Sequence, residues 1–138
     1  MSTLSCLAIV PLVIFTGTEI TKDAVEVKAK LMEIPSEFPP NELYDYAYVM
    51  KYEVIGGSLD KETIYVAHFN PRQKRSKVRD DMQKWVKGKL RRFKVGDVHQ
   101  MTITPHLEKI WRNAVEDNYA TTDRKSTRYW CLQVDVAK

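Results

Sequence analysis

Three histidines, an adjacent pair of aspartates, a run of cations and a row of tyrosines carry what chemistry this sequence can offer. His68 stands in AHFNPR, His99 in GDVHQM, and His106 directly follows Pro105. If the strands bearing His68 and His99 are neighbours, the two imidazoles could approach each other and ligate zinc or a haem iron. Isolated histidines without spaced cysteines or carboxylates do not define such a site, so no metal, cofactor or catalytic residue is assigned. Asp80 and Asp81 fall in a segment of helical periodicity, where adjacent side chains point about 100° apart and do not share a proton. A solvated helix face accounts for them. The chain has no G-x-S-x-G elbow, H-E-x-x-H pair, phosphate-binding P-loop or dinucleotide fingerprint. The expectation is a protein that is not an enzyme.

The cations are concentrated. Eleven Lys and Arg lie between Arg72 and Lys94, against only Asp80 and Asp81, which is half of the 22 positive residues in the chain. Arg72, Lys74, Arg75, Lys77 and Arg79, followed by Lys87, Lys89, Arg91, Arg92 and Lys94, could line a path for a polyanion. Tyr65, Phe69, Trp85 and Phe93 are interleaved with them, as in proteins that hold single-stranded nucleic acid. The other reading is that a helix with Val78, Met82 and Trp85 inward must show Lys and Arg outward. From this segment Arg72, Arg75, Arg79, Arg91 and Arg92 are taken as candidate binding residues.

The tyrosines alternate. Tyr44, Tyr46, Tyr48 and Tyr52 share one face of a strand whose other face carries Ala47 and Val49. A row of aromatic hydroxyls on a curved sheet could contact sugars or a partner protein, because tyrosine buries area and keeps a polar handle. Tyrosine is also simply a good strand residue. The four are kept as candidate ligand contacts.

The elements that must position these groups are mostly strands. Val25, Val27, Ala29 and Leu31 alternate with Glu26, Lys28 and Lys30, and the strand stops at Pro35. A loop punctuated by Pro35, Pro39, Pro40 and Asn41 follows. YDYAYVMKYEVI and ETIYVAHF are two further strands, joined as a hairpin through Gly56-Gly57-Ser58. Val78, Met82, Trp85 and Val86 make the stripe of an amphipathic helix, with Ser76 to cap it and Gly88 to end it. A Gly96-Asp97 turn leads into a fourth strand, VHQMTIT. Leu107, Ile110, Trp111, Ala114, Val115 and Tyr119 make a second helical stripe after Pro105. RYWCLQVDV is the last strand, with Trp130, Leu132, Val134 and Val136 expected inward. The order is β-β-β-α-β-α-β, a mostly β (β+α) chain.

At 138 residues, 43% apolar and 29% charged, the sequence suits one globular domain, here 24–138. The net charge of +4 says little about partners. Leu4 to Gly17 contain no charge, a length that matches the apolar region of an export signal and falls short of the roughly 20 residues of a membrane span. Residues 1–18 are therefore read as such a signal, which places the mature chain in the periplasm or at the cell surface without a stable membrane span. The opening residues MST bring no Lys or Arg, and the alternative is a buried strand in a cytoplasmic protein, though Pro11 disfavours a central position. Of the two cysteines, Cys6 lies in the apolar run and Cys131 in the last strand. Buried thiols are expected.

Three strands, a helix and two more strands resemble the five-stranded oligonucleotide/oligosaccharide-binding (OB) barrel, with an added helix before the last strand. The phrases VEVKAKLMEIP, FPPNELYDYAYVMKYEVI, TIYVAHFNPR, FKVGDVHQMTI and RYWCLQVDV, spread over 25–136, are similar to small OB-like β modules of bacterial envelope proteins. Some of those accompany SGNH-hydrolase-type proteins of exopolysaccharide acetylation. The hydrolase's Ser-Asp-His set has no counterpart here. The resemblance implies an accessory domain that contacts a glycan or an envelope protein. The alternative is a cytoplasmic OB domain that binds single-stranded nucleic acid through the basic segment 72–94.

Overall fold

Five segments with period-two alternation become the long strands of the protein. The computed structural model describes residues 21–40 and 44–138, so the apolar segment 1–18 and Cys6 lie outside the described residues. The long strands are β1 (Val25–Glu33), β2 (Ala47–Val54), β3 (Thr63–Phe69), β5 (Val98–Thr104) and β7 (Arg128–Val136). Two short strands, β4 (Lys87–Gly88) and β6 (Val115–Glu116), complete a seven-stranded sheet. The described chain is mostly β, as the alternation implies.

The pairings of the long strands return on themselves. β1 pairs antiparallel with both β2 and β5, β5 antiparallel with β7, β7 parallel with β3, and β3 antiparallel with β2. Every long strand thus has two long neighbours, and the unpaired edges that an open sheet would present are largely removed. β4 lies alongside the second half of β7, and β6 extends β2.

This ring separates two apolar clusters. Inside lie Val27, Ala29, Leu31, Tyr48, Met50, Tyr52, Val54, Ile64, Val66, Met101, Ile103, Cys131 and Val134. Outside, against β2, β3 and β7, lie Ala47, Val49, Ala67, Phe69, Trp130 and Leu132. β2 is therefore buried on both faces. Its small residues Ala47 and Val49 let the covering segments approach, while the large rings fill the interior.

β7 departs from simple alternation. Ile103 pairs with Cys131 and Thr102 with Gln133, so Leu132 is the extra residue of a bulge. The bulge sends Cys131 and Val134 inward but Trp130 and Leu132 outward, and Val136 is exposed. The expectation that Trp130, Leu132, Val134 and Val136 share one face is corrected accordingly. A bulge shifts the face of every later residue, and alternation alone cannot anticipate it.

The two long helices expected from apolar periodicity are not formed. In place of the first, two 3-10 turns, Arg75–Lys77 and Asp81–Trp85, are separated by extended backbone at Val78 and Asp80. The Asp80 carboxylate accepts from Met82 N at 2.9 Å, so this residue starts a turn and does not sit inside a helix. Aspartate competes for local backbone N–H groups in this way, and that competition ends the first turn where periodicity alone carries on. In place of the second, only α1 (Leu107–Ile110) is helical, and Trp111 is already extended. Asp117 accepts from Tyr119 N at 2.9 Å and makes a further turn there.

The apolar residues of both stripes nevertheless do their packing. Val78, Val86 and Tyr119 are buried on the outer cluster, with Met82, Trp85, Leu107, Ile110, Trp111 and Val115 packed against it. Trp130 Nε1 donates to Trp85 O at 2.8 Å and fixes the second 3-10 turn to the sheet. Among the described residues no helix is long and apolar enough to cross a membrane.

Candidate functional site

The tyrosine row runs into the ring and is not an open surface. Tyr46, Tyr48 and Tyr52 are buried, and only Tyr44, at 47% exposure, remains outside, with its hydroxyl 3.3 Å from Glu116 Oε1. The buried hydroxyls find partners within the fold. Tyr46 donates to Pro39 O at 2.7 Å, and Tyr48 reaches Ser36 O at 3.2 Å and receives Asn118 Nδ2 at 3.0 Å. They tie the loop between β1 and β2 to the end of the ring. Burial pushes the Tyr46 hydroxyl up to about 12, partly offset by the nearby Arg72.

Tyr52 is the centre of a polar cluster deep in the interior. Its hydroxyl lies 2.9 Å from His68 Nε2 and 3.0 Å from His99 Nδ1. β3 and β5 are not neighbours, so the two histidines meet across the ring through a tyrosine of β2. One hydroxyl proton cannot serve both nitrogens. At most one imidazole accepts from Tyr52, so at least one donates to it, and burial disfavours a charge on either ring. Their outer nitrogens, His68 Nδ1 and His99 Nε2, have no hydrogen-bond partner among the described residues.

Phe93 covers this pair, with its centroid 4.5 Å from that of His68 and 5.8 Å from that of His99. Burial holds the His68 pKa well below its ordinary value, with Arg75 and His99 adding to the effect. Burial also lowers His99, while Asp97 opposes it. Burial raises Tyr52 well above the phenol range and the Cys131 thiol up to about 12. With His68 and His99 at 1% and 0% exposure, neither ring can touch a molecule outside the protein. Among the described residues no three His, Cys, Asp or Glu side chains gather in an arrangement that could hold a metal ion. His106 stands apart, 2.7 Å from Asp23 Oδ2 at the surface.

The cations divide differently. Arg75 is 5% exposed and donates from Nη2 to Asn70 O at 2.6 Å and to Gln73 O at 2.8 Å. Its guanidinium carbon lies 5.7 Å from the Phe93 ring centroid, a cation–π contact. No carboxylate among the described residues pairs with it, and its Nε has no partner. Burial without a counter-charge lowers its pKa to about 10.

Above it, Arg72, Lys74, Arg91 and Arg92 line a cleft of about 530 Å³ with Phe38, Pro71 and Phe93. A second hollow of about 310 Å³ shares Lys74 and Arg91 and adds Arg75, Lys77 and Lys89. Among the described residues neither is lined by a carboxylate. A third, wider hollow of about 920 Å³ lies over β1, β5 and β7, where Lys28, Lys89 and Lys138 are mixed with Asp135. Arg79 lines none of the three; it is exposed and donates to Ser76 O at 2.9 Å.

Gly88 sets the position of this cationic wall. Its φ is +113°, and a Cβ there would lie 2.1 Å from Val134 O. Only a glycine lets the chain lie this close to β7. Lys89 N and Leu90 N then both reach Val134 O at 3.2 Å, Leu90 is buried in the interior cluster, and Lys89 and Arg91 on either side point to solvent.

The structure thus brings Arg72, Arg91 and Arg92 to one cleft with Arg75 beneath it. It leaves Arg79 apart and places Tyr46, Tyr48 and Tyr52 inside. Phe38 joins the cleft without having been singled out from the sequence. Its one signal is that it is the lone aromatic in the proline-punctuated loop SEFPP. No protein-family model, curated protein or solved structure matches the chain.

Proposed function

We propose that the chain is a non-enzymatic binding or accessory module of OB type, exported to the bacterial envelope, where it contacts a glycan or a protein partner through the cation-lined cleft. The observation that carries this reading is a pair of hollows that, among the described residues, are lined by seven Lys and Arg side chains and no carboxylate. Such a surface focuses positive potential and attracts a ligand of opposite charge.

The pairings support the OB part of the proposal. Numbered by position among the long strands, the ring runs first, second, third, fifth, fourth and back to the first, with the third and fifth parallel. That is a Greek-key path. OB modules hold ligands on the face of their second and third strands and between the loops that flank it. Here the outer face of β2 and β3 is already covered by Val78, Val86 and Tyr119. The first of those loops, which carries Phe38, borders the open cleft. The apolar run Leu4 to Gly17 supports export.

A second reading, a cytoplasmic module that binds single-stranded nucleic acid, is favoured by the same cations. Binding of the purified chain to immobilised glycans, to an envelope extract and to oligothymidylate separates the two readings. Retention on a glycan or an envelope protein supports the proposal. Retention on oligothymidylate alone overturns it. N-terminal sequencing of the cellular protein tests export: a start beyond Gly17 supports it, and an intact Met1 in the cytoplasmic fraction defeats it.

A further inference from the structure

We infer that the cation-lined cleft binds an acidic glycan, a sugar chain with a carboxylate on successive units, and that the buried Arg75 supplies the fixed charge at its centre. This inference rests on the binding-module reading above and deepens it by naming the ligand class.

Arg75 is the observation that asks for an anion. A guanidinium this deeply buried normally has a carboxylate partner, because taking a charge out of water is costly. Among the described residues Arg75 has none. It is held by two backbone carbonyls and the face of Phe93, which fix its orientation without neutralising it. It also forms part of the wall of the second hollow, between Lys74 and Arg91. An oxyanion resting there would provide the missing counter-charge.

The shape of the site favours a chain over a single small ion. The two hollows adjoin, with Lys74 and Arg91 in the walls of both, so cations follow one another from Arg72 and Arg92 beside the first to Lys77 and Lys89 beside the second. Arginine forks bind carboxylates through two parallel N–H···O bonds, which gives register as well as attraction.

The aromatics favour a sugar chain over a nucleic acid. Single strands are held by successive bases stacked on successive exposed rings. Among the described residues aromatics line one end of the path alone, as Phe38 and Phe93, and none lines the second hollow. Both rings are half-buried and fixed from behind, Phe38 edge-on to Tyr48 at 5.0 Å and Phe93 against His68. Such rings can support the apolar face of one sugar, and they provide no ladder for bases. A chain of Glu or Asp alone would supply charge as well, but without a ring to place over Phe38 and Phe93.

The test compares four probes on the full chain by calorimetry at low salt: a short oligogalacturonate, its methyl ester, an oligothymidylate and an oligoglutamate, the three anions matched in charge. The expected result is that the oligogalacturonate binds at least about tenfold more tightly than either other anion, and that the ester shows no measurable binding. Its affinity falls by about tenfold or more between roughly 50 and 200 mM salt, because the cations must release counter-ions. The Lys74→Ala/Arg91→Ala double variant weakens binding by about tenfold or more, since each lost charged hydrogen bond is worth several-fold, and Arg79→Ala leaves it unchanged. Both variants alter exposed side chains, and an unchanged far-UV spectrum and thermal midpoint confirm that they fold.

Equal binding of the ester leaves a glycan-binding module standing and overturns the acidic-chain inference. Tighter binding of the oligothymidylate or the oligoglutamate overturns it in favour of nucleic acid or an acidic protein. Failure of all four probes, or an unchanged affinity in the double variant, also overturns it.

Discussion

Two polar regions share Phe93, which packs on the histidines and lines the cleft, and the chain treats them in opposite ways. In the interior, Tyr52 bonds to both His68 and His99, and all three are sealed from water. Outside, Arg72, Lys74, Arg91 and Arg92 are exposed, pair with no described carboxylate and face a shared cleft. The inner groups cost free energy if a partner is removed, because nothing can replace it. The outer groups cost little if removed, because water already solvates them. Residue types that carry chemistry therefore divide here into those that hold the fold and those that remain free for a partner. Arg75 is the exception, buried like the first group and unneutralised like the second.

The comparison can be broken at the strip that joins the two regions. Gly88→Ala drives a Cβ into the Val134 backbone at a positive φ, and a loss of at least about 3 kcal/mol is expected in denaturant unfolding. A loss under about 1 kcal/mol would show that the strip is not held against β7.

Within the interior, Tyr52→Phe leaves His68 Nε2 and His99 Nδ1 without their common partner, and a loss of about 2–3 kcal/mol follows. An unchanged denaturation midpoint would mean that the three side chains do not act together.

Acidification probes the same cluster without a mutation. His68 has its folded pKa held below the unfolded value near 6.5, so the unfolded state binds the proton first. Stability from this ring is complete above about pH 6.5 and declines as pH falls towards the folded pKa, by about 1.4 kcal/mol per unit. Between pH 6.5 and 5, a progressive loss of stability is therefore expected from His68. A flat stability curve across that interval would contradict the burial of a neutral histidine.

Tyr48→Phe removes only the hydroxyl that holds Ser36 and Asn118, and a loss of about 1 kcal/mol is expected, with the β1–β2 loop loosened in hydrogen exchange. At the small end, Arg91→Ala and Arg92→Ala change stability by less than about 0.5 kcal/mol. A larger loss in either would place these arginines with the structural group and weaken the contrast.

Much of the β framework could be read from residue order. Strands expected at VEVKAKLMEI, ETIYVAHF and RYWCLQVDV occur as Val25–Glu33, Thr63–Phe69 and Arg128–Val136, because alternation reports a half-buried strand directly. The helices failed for an equally local reason. The stripe of Val78, Met82, Trp85 and Val86 reports only that these residues seek an apolar surface, and short 3-10 turns satisfy that as well once Asp80 captures Met82 N. Whether the tyrosine row is open or covered could not be read from the sequence, because alternation reports which residues share a face and says nothing about which face is covered. Phe38 went unnoticed because its contribution depends on a cleft assembled from three separate segments.

By itself the sequence determined the strand positions, the concentration of positive charge between Arg72 and Lys94, and the sharing of one face by Tyr44, Tyr46, Tyr48 and Tyr52. These are properties of neighbours in the chain, governed by local periodicity and composition. Only the tertiary structure decided that β2 is buried on both sides, that His68 and His99 meet through Tyr52, and that Arg75 is buried while Arg72 and Arg91 face a common cleft. Those outcomes depend on pairings between residues far apart in sequence. The closure of β1 onto both β2 and β5 selects the inside of the ring, and the bulge at Leu132 selects which residues of β7 enter it.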